Sequence, residues 1–149
     1  MVEHLDVAVY LESALEQCDS AIELNPHFPP AYLTLALVQE QRNELDESEA
    51  ALERAVHLAP KSPRSLGALA RFCALTDKRR HAFKLLHDME ALANDRYVAP
   101  FEFAAVHFFL GQVEESCKWF SKAIDDRNFE WLSFKADPRW EPLLVHPKV

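Results

Sequence analysis

Large and small apolar positions recur along this chain in phase, with a period of 34 residues. Two similar phrases, Ala21-Ile22-Glu23-Leu24-Asn25-Pro26 and Ala55-Val56-His57-Leu58-Ala59-Pro60, set the interval. A frame laid from position 29 gives units at 29–62, 63–96 and 97–130, with an incomplete unit at 1–28 before them and a tail at 131–149. The seventh column holds Leu35, Leu69 and Phe103, and the eighth holds Ala36, Ala70 and Ala104. Later columns hold Ala14, Ser48, Ala82 and Ser116; then Cys18, Leu52, Leu86 and Phe120; then Ala21, Ala55, Met89 and Ala123. No gap is needed to align them, which is the mark of a repeat architecture.

Each unit reads as two antiparallel helices. The small residues in the eighth and twentieth columns sit where the helices cross most closely, and a larger side chain there would overpack the crossing. The large residues of the seventh and twenty-fourth columns fill the space beside it. Between the helices the fifteenth column holds Asn43, Asp77 and Gly111, the residue types that best tolerate a left-handed backbone. Ser62-Pro63 reads as an N-cap followed by a first-turn proline, and Pro100 can open the last unit's first helix. Asp46 and Glu49 have capping-box spacing. Pro29-Pro30 separates a helix ending near Asn25 from one beginning near Ala31.

At these residues the chain resembles the tetratricopeptide-repeat family. Tyr32-Leu33-Thr34-Leu35-Ala36 stands for that family's aromatic-x-x-Leu-Gly opening, with Ala in place of Gly. Ser48, Leu52, Ala55 and Pro60 match its second half. The resemblance covers residues 1–130 and implies an all-α fold, a right-handed superhelical array of antiparallel helix pairs forming a single repeat domain. The third unit departs from the pattern, with Asn94 for the closing proline and Met89 for the small residue. Arg96-Tyr97-Val98-Ala99-Pro100-Phe101 and the tail around Trp131, Phe134 and Trp140 resemble the last repeat and tail of bacterial regions found C-terminal to transcription-regulator, kinase or cyclase domains.

Composition narrows the function classes. Two glycines, Gly67 and Gly111, cannot write a phosphate loop or a dinucleotide fingerprint. Net charge is −8, from 24 acidic and 16 basic residues, so a nucleic-acid partner is not expected. The one basic cluster, Lys78-Arg79-Arg80-His81, reads as a solvated helix start. Three scattered cysteines fit a reducing compartment. The N-terminus shows no secretory pattern and no apolar run is long enough to span a bilayer, so the cytoplasm is expected.

The resemblance implies a concave groove lined by the first helices. Its central candidates are Leu33, Leu37, Glu40, Arg64, Arg71, Phe101, Ala105 and Phe108: an apolar trough with two arginines and a phenylalanine-rich end. The expected occupant is a protein segment, extended or helical, with aliphatic anchors and an acidic group. Two arrangements remain open at the phenylalanines, since the tail could cover them as a cap. Self-association through the repeat ends is the second reading, and a regulatory piece of a larger signalling or transcription protein is the third. Relatives that clamp acidic chaperone C-termini use Lys and Asn where this chain has Leu33 and Leu37, so no such clamp is expected.

Catalytic chemistry and cofactors are not expected. No two of the seven histidines lie three or four residues apart, as helical metal ligands would. His87 with Glu90 reads as surface. His107 and Cys117 could meet across a hairpin, but a third orienting group is lacking and packing is the better reading.

Overall fold

The computed structural model describes residues 2–126, with side chains from Val7 onward. Seven helices and no strand occur among the described residues: α1 (Val2–Leu24), α2 (Pro29–Gln41), α3 (Leu45–Leu58), α4 (Pro63–Leu75), α5 (Arg79–Leu92), α6 (Pro100–Phe109) and α7 (Val113–Asp125). The chain divides into two compact units, Met1–Ser65 and Leu66–Val149. The tail at 131–149 lies outside the described residues.

In the first unit α2 packs against both α1 and α3. The α2–α3 crossing is held by more than small side chains. The Ser48 hydroxyl donates to the Ala36 carbonyl at 2.8 Å, and both residues are buried. In the second unit α6 packs on α7, and Ser116 donates to the Ala104 carbonyl at 2.7 Å. The twentieth column is therefore serine for a chemical reason as well as a steric one. Its hydroxyl fits the close approach and takes the second lone pair of a helical carbonyl. Ala82 and Ala70 occupy the same columns in α5 and α4, also fully buried.

The turns follow the fifteenth column. Asn43 and Asp77 have φ of 61° and 63°, and Gly111 has φ of 81°. The following amide closes each turn by donating to the carbonyl five residues back: Glu44 to Gln39 at 2.8 Å, Lys78 to Cys73 at 2.8 Å and Gln112 to His107 at 2.9 Å. These are Schellman closures, which satisfy carbonyls that the helix end leaves open. Each second helix then starts at once. Each first helix starts on a proline, Pro29, Pro63 or Pro100, where a missing amide donor costs nothing.

Helix starts differ from expectation in two places. Glu44, not Asp46, occupies the cap of α3, and it makes no side-chain cap bond. Asp46 instead lies in the first turn with Glu47, where both act on the helix dipole. The helix pattern near Pro29-Pro30 begins at Pro29, two residues before Ala31. The Ser62 cap is present, accepting from the Ser65 amide at 3.3 Å.

The incomplete unit is one continuous helix. The fifteenth-column position there is Val9, a β-branched residue that strongly disfavours φ above zero, so no turn forms and α1 runs for 23 residues. Its inner face still obeys the repeat. Leu11 and Cys18 are buried against Val38, with Ala14, Leu15 and Leu35 beside them. Burial pushes the Cys18 thiol pKa up, and the neighbouring Asp19 carboxylate adds to the effect.

Two stability measurements test this account. Ser48→Ala should lower unfolding free energy by about 1 kcal/mol through the lost hydrogen bond, and Ser48→Leu by a further 1–3 kcal/mol or so through overpacking, both read by urea denaturation. Gly111 has no heavy atom within 4 Å of an added Cβ. Gly111→Ala should therefore cost about 1–2 kcal/mol from backbone strain alone, and Gly111→Asn clearly less.

Candidate partner-binding surface

On α2 the side chains at 33, 37 and 40 follow helical spacing and share one face. Leu37 is 53% exposed, whereas Leu33 and Glu40 are half-buried. Arg64, in the first turn of α4, is exposed. These residues belong to the first unit.

In the second unit the helices α4 and α6 bring Arg71 and Phe101 together. The Arg71 guanidinium carbon lies 6.0 Å from the Phe101 ring centroid, at the outer range of a cation–π contact. Arg71 itself is half-buried. Phe101 is only 6% exposed and Ala105 fully buried, and both belong to a core with Ala104, Cys117, Phe120 and Ala123. Phe108 and Phe109 pack edge-to-face at 5.5 Å and rest partly buried on that core. The open part of the expected trough here is therefore Arg71 and Phe108, with Phe101 and Ala105 beneath. Trp131, Phe134 and Trp140, the expected cover, fall outside the described residues.

A residue not singled out by sequence occupies this region. Glu102 is 4% exposed, and its carboxylate is directed at Gly67 of α4. A Cβ at position 67 would lie 2.0 Å from Glu102 Oε2 and 2.9 Å from its Cδ. Gly67 thus makes room for a buried carboxylate. A glycine inside a helix, where no turn asks for it, was the available signal.

The other candidates resolve into structural contacts. His107 Nδ1 lies 2.6 Å from Gln112 Oε1 across the turn. Cys73 Sγ lies 3.5 Å from His81 Nδ1, a thiol–imidazole pair that was not foreseen. Cys73 is fully buried, so this pair is a packing contact and not an accessible nucleophile. Within the basic cluster, Arg79 donates to the Leu110 carbonyl at 2.9 Å and lies over Phe83 at 5.7 Å. That start of α5 is thus partly structural, binding the carbonyl end of α6 with a charge of the right sign. Among the described residues no helix is long and apolar enough to cross a membrane.

Comparison with known proteins agrees with the repeat. Residues 11–72 match the family model described as tetratricopeptide repeat. No curated protein matches the chain.

The Gly67–Glu102 contact makes a two-sided prediction. Glycine to alanine inside a helix ordinarily gains about 1 kcal/mol. Here the added methyl must displace a buried carboxylate, at about 1–3 kcal/mol, so Gly67→Ala should lower stability. In a Glu102→Ala background the same change should raise it. A double-mutant cycle by urea denaturation should show a coupling above about 1 kcal/mol.

Proposed function

We propose, from the match of residues 11–72 to the tetratricopeptide-repeat family model, that the protein is a non-enzymatic module that binds a segment of another protein through its first helices. The occupant is a peptide or short helix with aliphatic anchors and an acidic group. In the first unit Leu33, Leu37, Glu40 and Arg64 offer a face for such a segment, and in the second unit Arg71 of α4 meets its carboxylate. Phe108 supplies further apolar surface, and Phe101 and Ala105 support it from below.

One observation carries the reading. Arg71 is a half-buried cation on a first helix, beside the Phe101 ring. Holding a long cationic side chain in place before binding reduces the ordering cost when a carboxylate arrives. Planar guanidinium then offers a two-pronged bond to it. In the first unit, Leu37 presents an exposed apolar side chain of its own.

A photo-crosslinking residue placed at Arg71 or at Phe108 in the native cell should label one and the same protein. Placed at the exposed His57 of α3 or His87 of α5, on second helices, it should not. Arg71→Glu should weaken binding of that protein at least tenfold, through loss and reversal of a charge-assisted bond worth roughly 1.5–3 kcal/mol. Equal labelling from His57 and His87, or binding indifferent to Arg71→Glu, would overturn the assignment.

A further inference from the structure

Four cations, Lys78, Arg79, Arg80 and Lys84, surround an open hollow of about 690 Å³ beside the start of α5, with Asp77 and His81 completing its wall. Four positive charges against one carboxylate make this a cationic site in a chain whose net charge is −8. Internal contacts account for only part of it. Arg79 is held by the Leu110 carbonyl and the Phe83 ring, and His81 by the Cys73 sulfur. Arg80 and Lys84 are exposed and make no ion pair or hydrogen bond among the described residues. No acidic residue stands in the first turn of α5. The helix dipole therefore opposes these cations rather than supporting them, and their mutual repulsion acts in the same direction.

Extent and flanks decide which anion fits. The cationic positions run from 78 to 84, about 9 Å along a helix axis. Arg80 and Lys84, four residues apart, form a line whose next member is Asp88, an exposed carboxylate. A duplex or an anionic membrane laid along α5 would meet Asp88, whereas a compact anion stops short of it. Charge selects further. A single phosphate, at about −1.5 to −2, leaves part of the excess positive charge unmatched. Linked phosphoryl groups carry more charge in the same small space. Two of the recognising side chains are already in place. The Arg79 guanidinium has more donors than one carbonyl takes up, and the Nδ1 contact of His81 leaves its Nε2 for the hollow. Side chains held before binding lose little freedom when the ligand arrives.

We propose that this hollow binds a compact polyphosphate: two or three linked phosphoryl groups, either inorganic or the tail of a nucleotide. Arg80 and Lys84 close on it from the outer face of α5 with charge-assisted hydrogen bonds. Arg79 and His81, fixed from behind, orient it. The site lies on a second helix and is separate from the first-helix surface assigned to a protein segment.

The test is isothermal titration calorimetry of the full chain in metal-free buffer, at about 0.15 M ionic strength. Inorganic tripolyphosphate, ATP, AMP and citrate are the probes. We expect saturable binding of tripolyphosphate at one site per chain, with AMP and citrate at least tenfold weaker. ATP equal to tripolyphosphate shows that the phosphates alone are read, and tighter ATP makes the nucleotide the source; both support the site. Arg80→Ala with Lys84→Ala should weaken tripolyphosphate at least tenfold, since two charge-assisted bonds are lost. Lys118→Ala with Lys122→Ala removes the same charge from α7 and should leave affinity within about twofold. All four positions are exposed, and circular dichroism checks that the fold is kept. Absence of saturable binding, equal loss in both pairs of variants, or citrate binding as tightly as tripolyphosphate overturns the proposal.

Discussion

The architecture depends on how closely two helices of a pair can approach. At the eighth and twentieth columns the side chains are alanine or serine, and the backbones come near enough for Ser48 and Ser116 to bond the carbonyls of Ala36 and Ala104. A hydroxyl reaches a carbonyl on a neighbouring helix only when nothing larger than itself lies between. The bond therefore reports the approach and also helps to fix it, because a slip of one residue would bury a hydroxyl without an acceptor at a cost of about 1–3 kcal/mol. Large residues can then occupy the seventh and twenty-fourth columns, since close helices leave room only beside the crossing. Leu52, Leu69, Leu86, Phe103 and Phe120 fill that room in their pairs.

Close helices also need short connections, and the fifteenth column supplies them. A left-handed residue turns the chain within two or three positions and lets the next amide close back on the helix it leaves. Asn43, Asp77 and Gly111 meet that need by different means: two have side chains tolerant of positive φ and one has no side chain. The first unit shows the converse. With Val9 at the same column the turn is sterically unfavourable, and what would have been a helix pair becomes a single long helix. One residue type decides whether the repeat folds back or runs on.

This division explains what could be read from sequence and what could not. Columns, turn positions and proline starts were legible because each is a local or periodic demand on residue type. The partners of Glu102 and Arg71 were not, because those contacts join residues 30 or more positions apart whose side-chain directions no period specifies. Phe101 and Ala105 were placed on the right helix, α6, yet the structure buries them beneath Arg71 and Phe108. Periodicity identifies a helix face, but a ten-residue helix buried at eight successive positions has no outer face to speak of. The Cys73–His81 pair was hidden for a related reason, as eight residues of separation span a turn whose geometry sets the distance. Mid-helix Gly67 was the one visible hint of the buried carboxylate.

The long helix that results from Val9 carries two kinds of information on its two sides. Inward, Ala14 and Cys18 keep the columns of the repeat, since they face a real partner in α2. Outward, no packing constraint acts, and the side chains there answer only to solvent and to whatever binds. Solvation alone would be served by mixed charges, which support a helix through opposite-sign pairs as Glu115 and Lys118 do in α7. The exposed line Glu12, Glu16, Asp19 and Glu23 has one sign and gives up that support, and Arg42 returns it at Glu12 only. The cost is small for each residue, and the net negative charge that the line leaves on this unit favours its solvation.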